Sequence, residues 1–186
     1  MGFFVLQFFR MFTISAVFGG FLLIAGAGPA SALSWNPYEE PNRLSLSLSY
    51  FDFNDNEEAG SAHLEYRFRQ GLWLIRPMVG VLATTDEAVY GYGGLYVDLP
   101  ITDHWIFTPS FSAGGYDDGD GKDLGHTIEF RSQLELAYRF RNRVRISLSV
   151  SHISNASLDD NNPGTEILSL SYAIPFYPMH PPQRRR

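Results

Sequence analysis

The chain has 186 residues, 45% hydrophobic, 15% aromatic and 18% charged, too apolar and too rich in rings for a disordered protein. A net charge of −6 supplies no global basic field for nucleic acid. With no cysteine, a disulfide framework, a zinc–thiolate site and a cysteine nucleophile are all excluded.

From Met1 to Ala32 the only charge is Arg10, and an apolar stretch from Met11 to Ala27 leads into Gly28-Pro29-Ala30-Ser31-Ala32. The small-x-small ending predicts a secretory signal peptide over residues 1–32, cleaved after Ala32. The alternative is an uncleaved transmembrane anchor, since Gly2 to Gly28 is long enough to span a bilayer. Either way the remainder, residues 33–176 plus a tail, is exported as one acidic domain. It holds no second long apolar run, so it is not a helical membrane protein.

Beyond residue 42 the chain alternates. Leu44, Leu46, Leu48 and Tyr50 interleave with serines, and period two marks a strand. Further segments bring the predicted strands to eight, over residues 43–53, 60–69, 72–84, 88–98, 104–115, 125–140, 143–154 and 165–176. In the sixth, Ile128, Phe130, Ser132, Leu134, Leu136, Tyr138 and Phe140 oppose Glu129, Arg131, Gln133, Glu135, Ala137 and Arg139. In the seventh, Val144, Ile146, Leu148 and Val150 oppose Arg145 and serines.

Most segments reach the length a tilted strand needs to cross a bilayer, and a free sheet edge has no partner there. These lengths predict an all-β, eight-stranded antiparallel transmembrane barrel. Short links at Gln70-Gly71, Leu99 to Asp103 and Arg141-Asn142 alternate with longer acidic ones, which carry Asp86, Asp117, Asp118, Asp120, Asp123, Asp159 and Asp160. Long loops at one rim and tight turns at the other suit a barrel of a Gram-negative outer membrane. A soluble lipocalin-like barrel, with its apolar face inward, is the rival.

The lipid-facing row of the seventh strand continues past Val150 to His152 and Ser154, while on the eighth it runs back from Leu168 to Glu166. If 152 and 166 pair directly, 150 faces 168, 148 faces 170 and 146 faces 172. A hydroxyl, an imidazole and a carboxylate then share one patch at the rim of the barrel wall. They suit a nucleophile, a base and an orienter. Asn155 is a candidate oxyanion donor and Asn162 a second. Polar rims are ordinary in barrels, so the same residues also fit a purely interfacial reading.

The run Ser151-His152-Ile153-Ser154-Asn155-Ala156, followed by Asn162-Pro163-Gly164-Thr165-Glu166, resembles the C-terminal signature of the lipid A 3-O-deacylase family, the PagL type. The resemblance implies an eight-stranded outer-membrane barrel with His152 as base, Ser154 as nucleophile and Glu166 completing the triad. Asn155 and Asn162 correspond to the family's asparagines. The implied substrate is lipid A within lipopolysaccharide, cut at its 3-position acyl ester without a cofactor or metal; a homodimer is left open. The tail, residues 177–186, ends in three arginines and departs from the usual aromatic finish, a role left to Phe176.

Among the other features, Asp117-Asp118-Gly119-Asp120-Gly121-Lys122-Asp123 lacks the spacing of a calcium loop and reads as a solvated one. His63, His104, His126 and His180 show no ligand spacing. Gly91, Gly93 and Gly94 among tyrosines read as bends or close packing within a barrel strand. A structural or adhesion barrel without enzymatic activity is the competing function.

Overall fold

A computed structural model describes residues 40–53 and 57–177. The predicted signal peptide and the arginine run of the tail lie outside these residues. The strands are β1 (Asn42–Phe51), β2 (Ala59–Arg67), β3 (Ile75–Thr84), β4 (Val89–Val97), β5 (Leu99–Pro100), β6 (Trp105–Asp117), β7 (Ile128–Arg139), β8 (Arg145–Ser154) and β9 (Thr165–Phe176). β5 is a two-residue step beside β6, reached from β4 through Asp98. The other eight pair antiparallel in chain order, β1 also pairs with β9, and β4 with β6 across the step. Among the described residues the eight long strands close on themselves, as the predicted eight-stranded barrel requires.

Burial is inverted relative to a soluble barrel. Leu46, Leu48, Leu64, Val79, Leu134, Leu136, Leu148, Val150, Leu168 and Leu170 stand exposed, while Arg43, Glu65, Arg67, Arg76, Asp98, Arg131, Glu135 and Arg145 are buried. The oily row of each strand therefore faces outward, which removes the lipocalin-like alternative. No helix among the described residues is long and apolar enough to cross a membrane, and a barrel crosses with strands instead. Leu148, 58% exposed and opposite Leu136 and Leu170, tests the outward assignment. Leu148→Arg should cost about 2–4 kcal/mol if that wall sits in hydrocarbon; urea unfolding from lipid vesicles measures it, and a neutral result would contradict the assignment.

Side chains fill most of the interior, around a small cavity bordered by Ser47, His63, Glu65, Arg131 and Gln133. Serines of β1, β8 and β9 (Ser45, Ser47, Ser147, Ser149, Ser151, Ser169, Ser171) line one side of the lumen with small side chains. Long ones from the opposite side fill the space, as eight strands allow. Arg67 of β2 reaches across to Glu135 of β7 with two hydrogen bonds, at 3.1 and 2.6 Å. Near the tight turns, Asp98 accepts from Arg145 at 3.0 and 2.9 Å and from Thr108 at 2.8 Å. Near the long loops the filling turns apolar, with Phe51, Leu82, Tyr90, Tyr92, Tyr116, Leu124, Ile153 and Ile167 in one cluster. Gly80 makes room for this packing, because a Cβ there would lie 2.6 Å from the Tyr92 ring.

Two details differ from the sequence reading. The link at Gln70-Gly71 is really a longer reversal, in which Leu72 and Ile75 exchange backbone hydrogen bonds around Trp73 and Leu74. The run of apolar residues there mimics the start of a strand, yet Trp73 holds a left-handed φ of 58°. Lys122, expected in a solvated acidic loop, is turned inward and buried, donating to Asp52 at 2.7 Å. His63, one of the scattered histidines, faces the lumen and meets Ser49 at 3.1 Å.

Candidate active site

β8 and β9 pair with His152 opposite Glu166, Val150 opposite Leu168, Leu148 opposite Leu170 and Ile146 opposite Tyr172. This is the register in which the outward rows of the two segments coincide, and a shift of one residue would bury every leucine in the lumen. At the loop end the apolar row gives way to His152 and Glu166, whose side chains are 35% and 32% exposed. His152 Nδ1 lies 3.2 Å from Glu166 Oε1. A carboxylate at that nitrogen favours the tautomer protonated on Nδ1, leaving Nε2 as the basic atom.

Ser154 comes next in the same row, opposite Phe130 of β7, and is only 7% exposed. It is more enclosed than a residue at an open rim, because the chain reverses directly after it. Ala156 and Ser157 take φ of 55° and 65°, and the Leu158 amide donates to the Asn155 carbonyl at 3.1 Å. Two consecutive left-handed residues other than glycine cost about 1–3 kcal/mol each, and such strain gathers where a site needs a particular backbone.

Asn155 is fully buried, and its side chain faces into the protein. Its Nδ2 donates to the carbonyls of Leu124 at 3.0 Å and Asn161 at 2.8 Å, and its Oδ1 accepts from the Ser157 amide at 2.9 Å. The side-chain amide thus ties the loop between β6 and β7 to the one between β8 and β9. The backbone N–H of Asn155 donates to Asn162 Oδ1 at 3.1 Å. Both asparagines nominated from the sequence therefore meet at the residue after Ser154, joined through a main-chain donor.

Gly164 contributes what sequence patterning did not single out. Its φ is +65°, and a Cβ there would sit 2.9 Å from His152 Cε1. In the sequence it stands within the run Asn162-Pro163-Gly164-Thr165-Glu166 with no role of its own, a glycine after proline in a turn. Gly164→Ala should push the imidazole from its place and strain the backbone by about 1 kcal/mol. The expected outcome is a large fall in kcat with the barrel still folded, read by ester hydrolysis beside gel mobility with and without heating; an unchanged kcat would mean the ring does not need this space.

On the outer wall the site is bordered by apolar and small side chains. Ser132 stands opposite His152 on β7, and the Phe130 ring stacks on Phe111 of β6 with centroids 6.0 Å apart. Below them the leucine rows lead toward the tight turns, where Tyr66, Phe68, Trp105, Tyr138, Phe140 and Phe176 form a belt of edge-packed rings. Aromatic rings at that level mark the border of an apolar band. An ester held at Ser154 would therefore have lipid-like surface beneath it and the polar loops above.

Comparison with known proteins identifies the family and the fold. The family described as lipid A 3-O-deacylase (PagL) matches residues 29–175. Among solved structures, the outer-membrane enzyme PagL superposes with a TM-score of 0.55 at 17% identity, over 72% of this chain and 99% of that one. A de novo designed transmembrane β-barrel superposes with a TM-score of 0.52 at 8% identity, over 72% of this chain and 95% of that one. No curated protein sequence matches. The family match spans most of the chain and all but the last residue of the barrel, so the chain belongs to the lipid A 3-O-deacylase (PagL) family and is an outer-membrane β-barrel hydrolase.

Proposed function

We propose that the protein hydrolyses the ester-linked 3-hydroxyacyl chain at the 3-position of lipid A, using Ser154, His152 and Glu166. Ser154 Oγ attacks the acyl carbonyl while His152 Nε2 takes its proton. Glu166 keeps the ring oriented and stabilises the imidazolium. The proton then passes to the departing sugar oxygen, leaving an acyl-enzyme. Water, activated by His152, splits that ester and releases a 3-hydroxy fatty acid.

The observation that carries this reading is the 3.2 Å His152–Glu166 pair, set on the outer wall in the same row as Ser154. A lipid ester reaches such a site by moving sideways in its leaflet, without leaving the bilayer. The oxyanion falls to the turn after Ser154, since the N–H following a nucleophile is a common donor in acyl transfer. The Asn155 N–H donates to Asn162 Oδ1 in the structure, so Asn162 has to release that bond for the oxyanion to take it, while the Asn155 side chain clamps the two loops. Export through a signal peptide over residues 1–32 completes this picture.

Mass spectrometry of purified lipid A after incubation with the folded protein tests the substrate. The expected result is loss of one 3-hydroxyacyl mass and appearance of the free acid, with lipid A already lacking that chain left unchanged. Intact lipid A after exposure to demonstrably folded protein would defeat the proposal.

A further inference from the structure

Behind the outer-wall site, on the lumen side, a buried cluster joins three distant stretches of chain. Asp52, in the loop after β1, is fully buried and holds a left-handed φ of 57°. Its Oδ1 accepts from Lys122 Nζ at 2.7 Å and from Thr165 Oγ1 at 2.9 Å, and its Oδ2 accepts from the Glu57 amide at 3.3 Å. Lys122 belongs to the loop between β6 and β7 and is itself anchored, its carbonyl accepting from the Tyr116 hydroxyl at 2.7 Å. Lys122 and Thr165 are 6% and 0% exposed.

Thr165 is the residue between Gly164, which lies against the imidazole, and Glu166, which binds it. Because side chains alternate along a strand, holding Thr165 inward fixes the direction in which Glu166 points outward. The main chain is tied at the same place, with the Phe53 amide donating to the Glu166 carbonyl at 3.4 Å. A charged pair removed from water is a costly way merely to close a loop, since its desolvation consumes much of its attraction. What the pair does supply is a direction, because one carboxylate oxygen receives both the ammonium and the threonine hydroxyl.

We infer that Asp52, Lys122 and Thr165 are positioning residues for the hydrolysis, setting from the lumen side the backbone that aims Glu166 at His152. The inference rests on the proposed catalytic role of Ser154, His152 and Glu166. None of the three positioning residues touches the reacting ester. Their effect is on how often the imidazole and carboxylate stand in line, and small misplacements of catalytic groups are expensive in rate.

The test uses the full barrel folded in detergent and a fluorophosphonate ester as probe. Ser154 Oγ displaces fluoride at phosphorus, and the proton passes to His152. Thr165→Val removes the hydroxyl at nearly constant volume. The expected result is a labelling rate constant lower by roughly ten- to hundredfold with the labelled fraction of folded barrels unchanged. Thr165→Ser should recover most of the rate, and Lys122→Met should lose it as Thr165→Val does.

A merely structural role predicts the opposite pattern, fewer labelled molecules reacting at the wild-type rate, and that outcome overturns the inference. So does a wild-type rate in both Thr165→Val and Lys122→Met. If Thr165→Val does not reach the folded, heat-modifiable form, Lys122→Met decides by the same criterion. Wild-type protein that is not labelled, or is labelled equally after Ser154→Ala, overturns the catalytic reading itself. Labelled wild type with unaffected variants overturns only the positioning role.

Discussion

Ser154→Ala is expected to stop release of the 3-hydroxy acid while leaving the barrel intact. The change removes one oxygen from a side chain that is 7% exposed and ends the outward row of β8, so it opens almost no cavity and breaks no strand pairing. Loss of the nucleophile in a triad costs on the order of 10⁶ in kcat, beyond what product detection over hours would recover. The measurement is the time course of free acid from lipid A, with folding checked by gel mobility before and after heating. Activity within tenfold of wild type would transfer the nucleophile elsewhere, and the neighbouring hydroxyl of Ser132 would be the first to examine.

Glu166→Gln should have the next largest effect, through the proton rather than through shape. A glutamine amide can donate to His152 Nδ1, which moves the ring proton to Nε2 and leaves no base for Ser154. A comparable swap in a buried triad lowers kcat by about 10⁴-fold. Glu166 is about a third exposed, so water and side-chain rotation soften the penalty, and a loss of roughly 10²- to 10⁴-fold is expected. The KM for lipid A should change little, because glutamine keeps the size of the side chain and alters only its hydrogen bond to the imidazole. Steady-state kinetics on mixed micelles separates the two constants, and a variant that loses only affinity would place Glu166 in substrate binding instead.

The barrel was readable in the chain because leucines alternate with serines or charges at period two, while the side that faces outward came from the observed burial, since a lipocalin-like barrel shares the alternation. Register between β8 and β9 came from the same rows, so the meeting of His152 with Glu166 could be anticipated from residues 14 positions apart. The lumen could not be read this way. Asp52 and Lys122 lie 70 residues apart, and nothing in the local sequence says that Lys122 turns inward while the aspartates around it face solvent. Asn155 was legible as a polar residue beside Ser154, but the direction of its side chain depends on carbonyls contributed by Leu124 and Asn161. Such pairings are set by how loops close over the barrel, which patterning within single strands does not encode. Trp73 misled for a simpler reason, since apolar residues at a reversal look like the first residues of a strand until the backbone hydrogen bonds are traced.

The site's sideways opening changes what concentration means for this protein. His152 and Glu166 lie in the outward row at the loop end of the wall, not in the lumen, so on the proposed mechanism the ester would come to them from the surrounding leaflet. Turnover should therefore track the mole fraction of substrate in the surrounding leaflet, not its amount per volume. Adding inert lipid at constant total substrate would slow the reaction, whereas diluting the same membranes with buffer would not.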